Sequence, residues 1–316
     1  MRPIFGRLNS FATVRRRSHN TAHEIANDLA WADGVLMWSW PKLLPEILDR
    51  APNLRFAAQL DLTQVAARVA LERNLPVSHG RAAWSPAVAE MALSLILSTL
   101  RKTSDYHAAM RVAKEKWVGS FPDDIDAIER ELTGRSVGII GFGRIGRRLG
   151  DLLGPFRCPI TIFDPGVSRA DAKRAGVTKA SSLGSLLRQV DVVVLCAASN
   201  PGSNKLLGKR ELALLKKNAV LINVARAALV DTDALVQRLK NGDLFAAIDV
   251  FDQEPLPRNH PLRKLPNAYL TPHRAGGLMA SVERILNYLI DDLEAFVAGR
   301  ARKYPLTAAM IPALDA

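Results

Sequence analysis

Residues 137–150 read VGIIGFGRIGRRLG, and this stretch decides the fold. An apolar run passes straight into glycines at 141, 143 and 146, after which an arginine-rich amphipathic segment begins. In a G-x-G-x-x-G run the first glycine lets a strand turn tightly, the second lets backbone approach a pyrophosphate, and the third lets helix pack on strand. The amide N–H groups at the helix start then face the anion. Glycine-rich turns alone are common. This one follows a strand (SVGII), opens a helix (RIGRRLGDLLGPF) and is followed, 23 residues after Gly141, by Asp164 at the end of the next strand. That context marks a dinucleotide site. Gly141, Gly143, Arg144, Ile145, Gly146 and Asp164 are its expected contacts, joined by Cys196, Val224 and Asp249 at the ends of later strands. A carboxylate at 164 accepts hydrogen bonds from the ribose hydroxyls of NAD and repels a 2′-phosphate. Arg169, Lys173 and Arg174 lie just downstream and leave room for some NADP tolerance.

Around this motif, SVGIIGF, ITIFDP, VDVVVLCA, AVLINVA, FAAIDVF and AYLTPH form six apolar strands separated by helical or loop segments. The pattern is that of a doubly wound parallel unit. The residues before it alternate in the same way: strand GVLMWS (34–39), helix LLPEILDRA (43–51), strand LRFAAQ (54–59), helix LTQVAARVALERN (62–74) and strand LPVSH (75–79). A long helix is expected from Pro86 to Lys116, ending in a basic, Trp-containing arm. A polar crossing follows at 121–134, and a last helix at 280–299. The expected domains are 1–92 plus 284–316, the substrate domain, and 93–283, the cofactor domain. Only about 33 residues precede GVLMWS. Either an opening strand lies near PIFGRL or the first sheet has one strand fewer.

At 316 residues the chain is too long for one comfortable core. With 48% apolar and 23% charged residues, and no repeat or low-complexity tract, it reads as soluble and globular. Cys158 and Cys196 sit in apolar surroundings and read as buried free thiols in a reducing, cytoplasmic compartment; no metal site is expected. The most apolar run, VAEMALSLILSTL (88–100), is shorter than the ~18 residues of a membrane helix and reads as a buried one. The net charge of +12 is spread along the chain without aromatic interleaving or a nucleic-acid motif. It implies a field that attracts small anions, and neither a nucleic-acid nor a membrane partner. Residues 1–23 carry five arginines and no acid, a composition shared by transit peptides and basic surface segments; the second is expected.

Three ionisable residues stand after later strands: Arg226 after LINVA, Glu254 after AIDVF and His273 after AYLTP. In an open parallel sheet, ligands bind at the carboxyl ends of strands. With VGIIGFGRIGRRLG, FDP, LINVARAALVDTDAL, AIDVFDQEPLP, NHPL and LTPHRAG, the chain resembles the D-isomer-specific 2-hydroxyacid dehydrogenases from about Gly34 to Pro305. The resemblance implies two doubly wound Rossmann/flavodoxin-like domains with parallel sheets and an active site in the cleft between them. It implies NAD, a small 2-keto or 2-hydroxy acid, and a glyoxylate/hydroxypyruvate reductase-like activity. Arg226, Glu254 and His273 map onto the family's catalytic Arg, Glu and His. A homodimer is implied by the helix from Pro86 and its arm.

The chemistry requires these residue types. A protonated imidazole can give the carbonyl oxygen its proton near neutral pH, a carboxylate on the other ring nitrogen favours the imidazolium, and a guanidinium fork binds a carboxylate bidentately. Glu254 stands where formate-type enzymes place a glutamine. The family also contains NAD(H)-sensing corepressors, so a binding protein or a decayed scaffold is the alternative to an enzyme. Two departures bear on the site. Ala227 replaces a usual glycine, and AAQLDLTQV (57–65) has no glycine where the family holds the substrate carboxylate on backbone amides. Gln59 can donate there, whereas Asp61 would repel an anion.

Overall fold

The computed structural model describes residues 2–19, 21–37, 45–60, 63–120 and 129–314. It divides into two compact units, 1–84 with 277–316, and 85–276. These boundaries precede the expected ones at 92/93 and 283/284. The helix Ser85–Leu100 runs unbroken through position 92 and packs chiefly on elements of the larger unit.

In the smaller unit the order is α1 (Arg2–Leu8), α2 (Ala22–Trp31), β1 (Gly34–Met37), α3 (Pro45–Asp49), β2 (Phe56–Gln59), α4 (Gln64–Glu72) and β3 (Val77–His79). The described strands form a parallel sheet in the order β1-β2-β3. Its two faces follow from strand alternation. Ala57 and Val77 pack on Ala66, Ala67 and Ala70 of α4 and on Leu306 and Ile311. Phe56 and Ala58 pack on Ile285 and Leu289 of the long helix at 279–297. PIFGRL belongs to α1, so the opening-strand alternative fails. Its Arg7 bonds Asp291 at 2.6 Å and also Glu294, which ties this turn of helix to the helix at 279–297.

The larger unit runs α5 (Ser85–Leu100), α6 (Thr103–Arg111), β4 (Val137–Ile140), α7 (Arg144–Leu153), β5 (Ile160–Phe163), α8 (Arg169–Arg174), β6 (Thr178–Lys179), α9 (Leu183–Gln189), β7 (Val192–Leu195), α10 (Lys209–Leu212), β8 (Ala219–Asn223), α11 (Thr232–Lys240), β9 (Leu244–Ile248) and β10 (Ala268–Leu270). Helix α12 (Met279–Val297) returns to the smaller unit. The sheet is parallel, in the order β10-β9-β8-β7-β4-β5-β6, so chain order reverses between β4 and β7. Ile140, Val193, Leu195, Leu221 and Ile248 face α9 and α11, while α5 packs on α7, β8 and β9. The sheet is thus covered on both sides, and its central strands read as unbroken apolar runs because neither face meets water.

Two expectations are corrected here. The long helix from Pro86 ends at Leu100, and Lys102, at φ 50°, turns the chain before α6. β6, only two residues long, carries no periodicity and was not expected. Among the described residues, Arg81–Leu100 is long and apolar enough to cross a membrane, yet it is half buried and packs against α7, β8 and β9 as a core helix does. The polar crossing lies outside the described residues at 121–128, as does Asp61.

In the smaller unit, Asp292 is 1% exposed and accepts the Ser78 hydroxyl at 2.7 Å and the amides of Lys303 and Tyr304 at 2.7 and 2.8 Å. Alanine there strands these donors in the interior, each at about 1–3 kcal/mol. Asp292→Ala is expected to lower stability by about 3 kcal/mol or more, read from urea unfolding followed by circular dichroism.

Candidate functional site

The glycine loop lies between β4 and α7, at the point where strand order reverses. Gly141 has φ +89°, and a Cβ there would stand 2.4 Å from the Ala197 backbone. A Cβ on Gly146 would meet the Gly141 carbonyl oxygen at 2.3 Å. No such limit applies at Gly143, whose Cβ would meet nothing within 4 Å. Gly143 is the cap residue of α7 and offers the helix start no side chain, so the first amides of α7 are open to an anion. Gly143 and Arg144 are exposed and Ile145 is half-buried. This cradle fits a dinucleotide pyrophosphate.

At the end of β5, Asp164 accepts the Phe142 amide at 2.7 Å on one oxygen and the Gly166 amide at 2.8 Å on the other. The side chain is therefore fixed against the glycine loop, with lone pairs left on both oxygens for ribose hydroxyls. Cys196 bonds the Ile140 carbonyl through its amide at 2.8 Å, and burial pushes its thiol up to about 12, so it stays protonated. Val224 is 5% exposed.

Asp249 is the remaining expected cofactor contact. It is fully buried, and its carboxylate accepts the Thr271 hydroxyl at 2.6 Å and the amides of Arg274 and Ala275 at 2.9 and 2.8 Å. All three donors belong to the loop that carries His273. Asn223 is a further site residue, one that no motif in the sequence marks. Its side chain accepts the Ala225 amide at 3.1 Å and donates to the Arg226 carbonyl at 3.0 Å, closing the turn after β8. Asn is common in turns for this kind of bond, and its place two residues before Ala225 was the available signal.

The three ionisable residues all follow carboxyl ends of strands in this unit, after β8, β9 and β10. His273 and Glu254 meet: Nδ1 and Oε2 lie 2.7 Å apart. The other Glu254 oxygen accepts the Phe251 amide at 3.0 Å. Burial opposes ionisation of Glu254 most strongly. The bonds from His273 and the Phe251 amide, with the positive charges of His273 and Arg226, outweigh it and hold the carboxyl below its ordinary value. His273 adopts φ 49°, a left-handed conformation uncommon for a side chain of this size and characteristic of functional sites when neighbours over-determine it. Arg226 is exposed and donates to the Ala225 carbonyl at 2.8 Å. With Nδ1 engaged, the ring's Nε2 is the atom that can face a reactant, beside a guanidinium suited to anions.

Residues 93–275 match the family described as D-isomer specific 2-hydroxyacid dehydrogenase, NAD binding domain. A glyoxylate reductase of Thermofilum pendens is 31% identical over 283 residues, covering 87% of this chain and 81% of its own. The glyoxylate/hydroxypyruvate reductase B of Yersinia enterocolitica is 30% identical over 296 residues, covering 92% and 88%. Among solved structures, a phosphoglycerate oxidoreductase from Rhizobium etli superposes with a TM-score of 0.82 at 27% identity, over 98% of this chain and 94% of that one. An NADPH-dependent glyoxylate/hydroxypyruvate reductase from Sinorhizobium meliloti, in complex with NADP and malonate, gives 0.74 at 25% identity, over 100% and 96%.

The lowered carboxyl sets a direction in pH. A group whose folded value lies below its unfolded one contributes stability that is complete above the unfolded value and is lost as pH falls through the folded one. Glu254 is thus expected to take up its proton at a lower pH than an ordinary glutamate carboxyl, keeping its bond to His273 until then. Carbon-detected NMR of the Glu254 carboxyl checks this.

Proposed function

Because the chain belongs to the D-isomer specific 2-hydroxyacid dehydrogenases, we propose that it is an NAD-dependent reductase interconverting a small 2-keto acid and its D-2-hydroxy acid, of the glyoxylate/hydroxypyruvate reductase kind. The observation that carries this reading is the 2.7 Å pair between His273 and Glu254, with Arg226 close enough for its charge to act on the same carboxylate. Bound nicotinamide supplies or accepts the hydride. Gly141, Gly143, Arg144, Ile145, Gly146, Asp164, Cys196, Val224 and Asp249 hold the dinucleotide. Arg226 binds the substrate carboxylate through its fork and polarises the ketone. His273 donates a proton from Nε2 to the ketone oxygen during reduction and takes it back during oxidation. Glu254 fixes the ring through Nδ1 and favours its charged form.

A homodimer belongs to the same proposal. Met110 of α6 and Val112, Trp117 and Val118 beyond it are half to three-quarters exposed, large apolar side chains that a second copy would cover. Static light scattering is expected to give twice the chain mass of 34.6 kDa, and Trp117→Lys is expected to return it toward the monomer.

Steady-state assays with NADH and a panel of 2-keto acids test the reaction. His273→Gln is expected to lower turnover by about 10²–10⁴ while NADH binding changes little. Arg226→Lys is expected to raise KM strongly for every active acid, because an ammonium cannot reproduce the fork. Wild-type inactivity on the whole panel would sink the enzyme reading in favour of a cofactor-binding protein.

Cofactor preference follows from Asp164. NADH is expected to bind more tightly than NADPH in fluorescence titrations, and Asp164→Ser is expected to narrow the difference by removing the charge that opposes a 2′-phosphate.

A further inference from the structure

The smaller unit carries a cleft of its own at the amino ends of its strands. Arg55 stands just before β2, and the left-handed turn at Asn74, with φ 54°, brings the chain from α4 to Leu75 and Pro76 just before β3. Between these segments and α3 lies an open cleft of about 510 Å³. Leu48, Ala51, Leu54 and Leu75 give it apolar walls, while Arg55 and Arg73, with side chains 72% and 35% exposed, are its charged lining. Backbone bonds hold the walls from behind. The Arg55 amide donates to the Asp33 carbonyl at 2.7 Å, and the Asn74 and Leu75 amides donate to the Leu71 and Ala70 carbonyls at 3.0 and 2.9 Å. Reactants of an open parallel sheet gather at the carboxyl ends of its strands, so a cleft at the amino ends has no part in the reaction proposed above.

We propose that this cleft binds a small aliphatic monocarboxylate, its tail on the four apolar side chains and its carboxylate on Arg55 and Arg73. The volume lies within the ~300–1,000 Å³ of small-molecule sites, in which apolar walls carry a few polar groups. A carboxylate already orients each guanidinium: Arg73 Nη1 lies 2.6 Å from Asp49 Oδ1, and Arg55 Nη2 lies 3.3 Å from Asp33 Oδ1. A guanidinium has five N–H donors, so each arginine keeps donors for a further acceptor. The same acids set the charge of the ligand. Asp33, Asp49 and the carbonyl end of α4 offset much of the positive charge, which leaves room for one negative charge and disfavours a phosphate dianion. The apolar walls set its shape, since a ligand without a tail would leave them in water.

Amide-detected NMR of the whole chain, titrated with isocaproate, tests the proposal. The amides of Ala51, Leu54, Arg55, Asn74 and Leu75 are expected to shift together, with a Kd on the order of 1 mM or tighter. Isohexanol, which has the same tail and no charge, acetate, which has the charge and no tail, and inorganic phosphate are each expected to bind about tenfold more weakly or worse. Arg73→Met keeps an apolar stem and removes the fork. It is expected to weaken isocaproate by about tenfold while the circular dichroism of the chain is unchanged. Arg55→Met gives the second reading if Arg73→Met does not fold. Isohexanol or phosphate binding as tightly as isocaproate would overturn the proposal, and so would undiminished binding in both methionine variants. Arg226 offers a carboxylate another place on the chain, so shifts confined to the residues around Arg226 would overturn it as well. The readout needs neither cofactor nor turnover, and its failure would leave the enzyme reading untouched.

Discussion

The larger unit depends on one place where no side chain fits. At Gly141 the chain leaves β4 so close to the backbone of Ala197, which follows β7, that a Cβ would overlap it at 2.4 Å. These are the two strands between which chain order reverses. Their outgoing loops part at that contact, one toward α7 and the other toward residues 197–204. The crevice outside the sheet and the uncapped start of α7 are both products of this parting. The positive φ of Gly141, and the space a Cβ on Gly146 would need at the Gly141 carbonyl oxygen, leave glycine as the residue that fits at both positions. Gly143, where an added Cβ would meet nothing within 4 Å, is the position where close approach is left for a ligand.

That constraint is also why so much was legible in the sequence. Glycines at 141 and 146 have separate steric causes, and the central strands β4, β7 and β8 are buried on both faces, so their apolar runs are unmistakable. Arg226, Glu254 and His273 could be placed because each follows such a run, and a parallel sheet brings strand ends together whatever lies between them. The same reasoning reached the limits of periodicity elsewhere. β6 is too short to show a period. PIFGRL is apolar enough for a strand, but α1 gains the ion pairs of Arg7 with α12, a partner far along the chain. The turn at Lys102 falls inside a run with strong helix formers on both sides. Asn223 and Asp249 were the least legible, because a buried polar residue announces itself only through the bonds it makes. Asp249 is legible as a site residue from its place after a strand, whereas its partners at 271, 274 and 275 are not.

The electrostatics of the site are those of a partly exposed group rather than a buried one. The side chains of His273 and Glu254 are 47% and 37% exposed, so water screens their attraction and the pair's value lies in orientation more than in stability. Asp249 behaves in the opposite way, since a fully buried carboxylate can hold three donors without competition from solvent. The site therefore combines reacting groups open to solvent with supporting groups closed to it.

The two units also differ in how the chain reaches them. The larger is one continuous segment, whereas the smaller joins 1–84 to 277–316. Within the smaller unit, Ile285 and Leu289 cover Phe56 and Ala58, and Asp292 binds Ser78. During synthesis the early strands must therefore wait, apolar face uncovered, while nearly two hundred residues emerge and α12 follows. The larger unit can close first, from its own consecutive sequence. The smaller one then completes only once residues 277–316 have followed, so its early strands stay open to wrong partners for longer than any element of the larger unit.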